Sequence, residues 1–390
     1  MLDKMYMKPT KIAVLLPSST THKQLGYDFY LAMQYAMEQK QIAVEWMSAS
    51  IGFGVDEVDM LTKAEDLLLN RGADMLVAFA EYPKISHLFP LLEALNKELL
   101  MVNMGAKLPP DWNVHPLVFH FNLQESLLAF RSGKELIARG VQKAALAANY
   151  YEGGYSPCQQ IIDSFVESGG DITYNFIPQS KGQFFSIAPL EAYLEQEESD
   201  VTVLANYSNP LARVFLDQWA SKPVGKKHSL WASSACLMDA LDVCPEHLSS
   251  SADVTGLLAW YKELDTEENR TFVTVYEGKL KRAASYVAAL GWDTGLLLAA
   301  AMTNSTSDRN AALSGLLEDG LSDILCTRGK VLTDIAYHSF IAPAFRFSST
   351  GGQFHFEMIP AESLRSEWQD LKDKTPHPNQ NGWFNTYLCS

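Results

Sequence analysis

The chain has 390 residues, 47% hydrophobic and 20% charged. That is ordinary globular composition in a length that exceeds one typical core, so two domains of about 150 to 200 residues are expected. Its 31 basic against 46 acidic residues leave a formal charge of −15, which removes the phosphate attraction of nucleic-acid binders and disfavours an acidic membrane surface. No apolar run approaches the roughly 20 residues of a bilayer span, and the opening MLDKMYMKPTK lacks the apolar centre of a signal peptide.

Lys11 to Met37 sets the pattern. The run Ile12 to Leu16 reads as a strand buried on both faces, Pro17 to His22 break it, and Tyr27 to Met37 keep helical spacing. The alternation then repeats. Strands are predicted at Ile42 to Met47, Met75 to Ala80, Leu99 to Asn103 and Val118 to Phe121, with helices at Glu57 to Asn70 and Ile85 to Leu95. A second series follows Asn122, with strands at Lys143 to Ala148, Ile172 to Ile177, Val201 to Ala205 and Leu230 to Ala232, and helices at Leu127 to Arg139, Pro157 to Ser168, Ile187 to Glu197 and Pro210 to Ser221. This second series needs its own sheet. The Ser-rich Leu248 to Ser251 reads as a second crossing between lobes, before a strand Val254 to Trp260 and long helices at Glu267 to Glu277, Ala284 to Thr303 and Ser307 to Asp319 that cover the first sheet. Short strands at Lys330 to Leu332, Ala342 to Phe347 and His355 to Met358 close the fold, and the tail beyond Pro360 is polar, its PHPNQNGW stretch reading as loosely ordered. The expected class is α/β, with two Rossmann-like lobes of mainly parallel strands.

Ligands in such folds sit at the carboxyl ends of strands. In the first lobe these are Ser18, Ser19, Thr20 and Thr21, which offer hydroxyls and backbone N–H groups to an anion or cap the following helix, then Glu81 and Tyr82, and Gly105, where backbone approaches closely. In the second lobe they are Tyr150 with Tyr151 in the aromatic, glycine-rich stretch 149–155, then Tyr207, and Ser233-Ser234 after Trp231. Enzyme motifs are poor. Gly52-Phe53-Gly54 starts a GxG that Glu57 ends, and no GxSxG, HExxH or P-loop occurs, so no catalytic residue, metal set or cofactor is assigned. Histidines such as His22, His87 and His228 read as surface or helix-end residues. Five scattered cysteines imply no disulfide framework; Cys236 and Cys244 either pair or are two buried thiols.

Five segments together resemble the type I periplasmic binding proteins, specifically the branched-chain amino-acid-binding group of ABC-transporter solute receptors. KIAVLLPSSTTHKQLGYDFYLAMQYAM is similar to the family's opening strand, Ser/Gly loop and helix; RGADMLVAFA, KAALAANYYEGGY, GQFFSIAPLEAYLEQEESDVTVLANY and AASYVAALGWDTGLLLAAAM with RGKVLTD resemble its later landmarks. The chain departs from the pattern where Thr20 replaces a glycine, where Glu81-Tyr82 replace a serine pair, and where Met47 to Val55 lack an Asp-Thr pair.

The resemblance implies two lobes joined by three crossings, which divide the chain as 1–122 and 252–335 in the first lobe and 123–251 and 336–390 in the second. It also implies hinge closure on a small ligand, an amino acid or an aromatic or organic acid. In that picture Ser19 and Gly105 hold the anionic end while Tyr150 and Tyr207 close over it. The expected partner is a membrane permease of an ABC importer. The expected setting is periplasmic, or extracellular with a lipid anchor, the leader being absent from the sequence read; a cytoplasmic setting stays open. The alternatives are a ligand sensor on the same fold and a doubly wound transferase using Glu81 and Glu152.

Overall fold

A computed structural model describes residues 9–374 apart from 83, 110–111, 113, 151–155, 179–184, 209, 252, 305–310 and 319–323. The strands are β1 Thr10–Leu16, β2 Val44–Ser50, β3 Met75–Phe79, β4 Leu99–Asn103, β5 Val118–Asn122, β6 Lys143–Ala148, β7 Asp171–Phe176 and β8 Thr202–Asn206. They continue as β9 Leu230–Ala232, β10 Asp253–Leu258, β11 Leu325–Cys326, β12 Gly329–Lys330, β13 Leu332–Asp334, β14 Ser339–Ile341, β15 Ala344–Thr350 and β16 Gln353–Ile359. Two seven-stranded sheets result, in the orders β13-β14-β5-β4-β3-β1-β2 and β16-β15-β10-β9-β8-β6-β7. Within each, the five strands of the repeating pattern pair in parallel; at one edge the first sheet adds β14, parallel to β5, and antiparallel β13, and the second adds antiparallel β15 and β16. The continuous apolar runs of β3 and β4 are explained by this topology, because helices cover both faces and every residue of these strands is buried.

The first sheet shows how a two-sided core is built. Ile12, Val14, Val77 and Phe79 face helices Leu25–Gln39 and Tyr286–Asn304, while Ala13, Leu15, Leu76 and Ala78 face the opposite layer with Met60, Leu67 and Leu92. Tyr286–Asn304 contains an 18-residue window apolar enough to cross a membrane by length and composition, against the expectation that no such run exists. It is 83% buried. It packs so closely on Leu25–Gln39 that a Cβ at Gly291 or Gly295 would clash with the backbone carbonyls of Phe29 and Met33, and its all-round apolarity follows from being surrounded by protein.

The chain passes between sheets after β5, after β10 and after β14. Two of these positions differ from the sequence expectation. β10 pairs with β9 and β15, so the second passage comes after Leu258 and not at Ser251. The serines read as a linker instead finish helix Pro245–Ser250, where Ser249, Ser250 and Ser251 donate to carbonyls of the preceding turn. The third passage was expected near Ile335 to Ser339, but β14 pairs with β5 and the chain leaves at Ala342. β13 and β14 have three residues each, too few for periodicity to register. The polar tail begins with helix Arg365–Asp373, which docks on helix Glu125–Ala138 through Arg131–Glu367 and Lys134–Asp370 pairs. The stretch 375–390, with Cys389, lies outside the described residues. Cys158, Cys236, Cys244 and Cys326 are buried thiols outside any disulfide.

One buried polar cluster binds all three passages. In the turn between β11 and β12, Arg328 sits 3.2 Å from Asp293 and donates to the Asn122 carbonyl, while the Thr327 N–H donates to the same Asp293 at 2.6 Å. Gln124 Oε1 accepts the Ala342 N–H at 2.8 Å and faces Arg328 Nη1, and Thr266 Oγ1 donates to the Thr327 carbonyl at 2.6 Å. Burial pushes the Asp293 carboxyl up and the Arg328 charge opposes that rise.

Candidate functional site

At the carboxyl edge of the second sheet a cavity lies against Asn206, Tyr207, Trp231, Ser233 and Ser234, with Ala106 of the first lobe also lining it. Helix Ser234–Val243 starts here because Ser233 leaves β9 in extended conformation and its hydroxyl accepts the Cys236 N–H at 3.3 Å. Glu125, on the first turn of the helix that follows the first passage, also lines the cavity and is 5% exposed. Tyr207 is fully buried, stacked on Phe215 at 4.7 Å and edge-on to Phe185.

Two donors in this cavity have no partner among the described residues, the indole N–H of Trp231 and the hydroxyl of Ser234, at 1% and 7% exposure. Buried donors left unpaired cost about 1 to 3 kcal/mol each. A bound acceptor removes that cost. The first peptide N–H groups of helix Ser234–Val243 add positive potential on the same side.

The first-lobe candidates are arranged differently. The Ser19 hydroxyl lies 3.1 Å from the Thr21 hydroxyl and accepts the His22 N–H at 3.0 Å, so these side chains build the turn before helix Leu25–Gln39. Ser18 and Thr20 are exposed. Glu81 is buried at 1% exposure; burial lowers the pKa of neighbouring Lys107, and the Glu81 charge opposes that fall. Tyr82 is buried with its hydroxyl 3.4 Å from His120 Nε2. Gly105 has φ +72°, and its N–H donates to Asn103 Oδ1 at 2.8 Å. A Cβ there would stand 2.7 Å from Asn122 Oδ1, so this glycine serves close packing against the first passage. Tyr150 is 65% exposed at the end of β6, and Tyr151, Glu152 and Pro83 lie outside the described residues.

The structure thus brings Tyr207 and Ser233 into one cavity, with Ser234 beside them, and Tyr82 and Gly105 into another; Ser18, Ser19, Thr20, Glu81 and Tyr150 line neither. Trp231, Glu125 and Asn206 escaped the sequence reading. Trp231 carried a signal, being the one large residue in a three-residue strand directly before Ser233 and Ser234. His228 ends helix Val224–Lys227 and His87 is half exposed, as expected of surface or helix-end histidines. His228 is 7% exposed, and burial lowers His22 to a pKa of about 4.

Between the lobes the Tyr286 hydroxyl donates to Asp239 Oδ1 at 2.9 Å, and the His22 ring lies edge-on to Tyr286. This contact joins the first lobe's apolar helix to the second lobe's Ser234–Val243 helix.

Two α/β lobes, three passages and a cavity at a sheet's carboxyl edge define a two-lobed ligand receptor. The sequence matches the periplasmic binding protein family over residues 9–362, and the chain belongs to that family. No curated protein matches it by sequence. Among solved structures it is similar to an ABC transporter substrate-binding protein from Sphaerobacter thermophilus, with TM-score 0.74, 16% identity and coverage of 91% of this chain and 98% of that one. It is also similar to an ABC transporter solute-binding protein from R. palustris in complex with benzoate, with TM-score 0.69, 18% identity and coverage of 90% and 95%. The substrate-binding protein LivJ from Streptococcus pneumoniae in complex with isoleucine aligns with TM-score 0.65, 14% identity and coverage of 90% and 100%.

Proposed function

We propose that the protein is the solute receptor of an ABC-type importer and captures an apolar α-amino acid between its lobes without chemical turnover. The observation that carries this reading is the pairing, in one buried cavity, of unsatisfied donors on Trp231 and Ser234 with the carboxylate of Glu125. A zwitterion matches both ends. Its carboxylate takes the indole and hydroxyl donors, its ammonium faces Glu125, and its side chain packs on Tyr207 and Trp231. A simple aromatic acid supplies no cation for Glu125 and is disfavoured in this cavity.

Closure follows from differential affinity. A ligand that touches both lobes favours the closed arrangement, in which Tyr286 meets Asp239. The closed surface is then presented to a membrane permease, with the receptor in the periplasm or at the outer cell surface. Titration calorimetry against apolar, polar and aromatic amino acids and a set of benzoates tests the reading. Binding of an apolar amino acid with contraction in small-angle scattering supports it; silence across the amino-acid panel overturns it.

A further inference from the structure

A second cavity lies on the first lobe beside the passages. Met101 and His120 place it on the sheet face that also carries Met60 and Leu92, away from helices Leu25–Gln39 and Tyr286–Asn304. Its outer wall is Tyr337 and Trp368, the latter on the C-terminal helix Arg365–Asp373. Trp112 meets both rings nearly at right angles, with centroids 5.7 Å from Tyr337 and 5.4 Å from Trp368. The three rings form an aromatic corner.

The polar groups around this corner are unbalanced. Asn103 donates to the Ala80 carbonyl and accepts the Gly105 N–H, and Ser339 donates to the Tyr337 carbonyl, so these side chains are already committed. Gln124 is not. Its Oε1 receives the Ala342 N–H and faces Arg328 Nη1, which fixes the amide orientation and leaves Nε2 as the donor. That Nε2 is buried on a side chain 5% exposed and has no partner among the described residues; the indole N–H of the partly buried Trp112 is likewise inaccessible and has none. Lys107 also lines the cavity. His120 is held neutral, its pKa lowered to about 3 by burial, so it adds no charge.

We infer that this cavity is a second ligand site, separate from the interlobe cleft, which takes a small aromatic monocarboxylate with its carboxylate on Gln124 Nε2 and Trp112 Nε1 and its ring in the corner of Trp112, Tyr337 and Trp368. The inference goes beyond the cleft reading and does not depend on it. Excess donors call for an acceptor, and perpendicular rings offer both a face and an edge to one planar group. Because Gln124 Oε1 holds Ala342, an occupant on Nε2 also steadies the first and third passages against each other.

Benzoate is the probe, titrated by calorimetry into the full chain and three variants. Gln124→Glu keeps an oxygen for Ala342 and Arg328 but replaces the donor with a second acceptor and a negative charge; Trp112→Phe keeps a ring and removes the N–H. Both are expected to lose benzoate affinity by tenfold or more, while Ser234→Ala, in the cleft, leaves it within twofold. Benzoate-soaked crystals are expected to show the ring between Trp112 and Trp368, a readout that does not depend on how the variants fold. Absence of binding at 10 mM benzoate, or affinity lost in Ser234→Ala and kept in Gln124→Glu, overturns the second site. The latter result leaves the cleft as a receptor site, so failure here is distinguishable from failure of the receptor reading.

Discussion

The two lobes share one architecture and use their polar groups in opposite ways. At the carboxyl edge of the first sheet the hydroxyls and amides bond one another, as Ser19 with Thr21 and His22, and Asn103 with Ala80 and Gly105. At the matching edge of the second sheet Trp231 and Ser234 are buried with donors unmet. The lesson is one of division of labour. The contrast holds at the two strand edges: the first sheet's polar groups satisfy one another there, while its unmet donors, on Gln124 and Trp112, lie in the separate cavity beside the passages.

The largest expected effect tests the buried cluster that binds the passages. Asp293→Ala strands the Arg328 guanidinium in the interior and should cost about 3 to 5 kcal/mol of stability, read by denaturant unfolding. A loss under 1 kcal/mol would show the cluster to be dispensable.

Acid comes next and works on the first lobe through histidine. Burial holds His22 near a pKa of 4 and His120 near 3, whereas unfolded histidine titrates near 6.5. Below pH 6.5 the unfolded chain therefore takes up protons that the folded chain refuses. Stability is full above that pH and falls as it drops, by about 2 kcal/mol for each of the two by pH 5. Unfolding midpoints that stay level from pH 7 to 5 would contradict this.

In the second lobe the effects should appear in binding. Trp231→Ala removes a donor and an aromatic wall and is expected to weaken the amino-acid ligand about 100-fold, and Ser234→Ala about tenfold, at roughly 1.4 kcal/mol per tenfold. The smallest effect closes the comparison. Ser19→Ala should change affinity less than twofold, because its hydroxyl already serves the turn; a tenfold loss would return the anion grip to the first lobe.

Most of the framework was legible in the sequence because buried parallel strands announce themselves as apolar runs; the residue bounds expected for β4, β6 and β9 match those observed. Legibility failed where structure depends on partners distant in the chain. β13 and β14 exist by pairing at the sheet edge, helix Arg365–Asp373 by ion pairs to residues more than 230 positions earlier, and the membership of β10 by its neighbours β9 and β15. The site was harder still. A loop of hydroxyls such as Ser18 to Thr21 has the same letters whether it grips a ligand or caps itself, and Trp231 reads as core until the cavity beside it is seen.

The close seat of Gly291 and Gly295 on Phe29 and Met33 has a consequence in time. Strands β6 to β10 of the second sheet are contiguous in the chain and can assemble as soon as they are made. One face of the first sheet waits for a helix about 260 residues downstream of its partner. On a chain emerging from its amino end, that face of the first sheet stays uncovered long after β1 is made, and for that interval β1 and its apolar neighbours are in need of protection from aggregation.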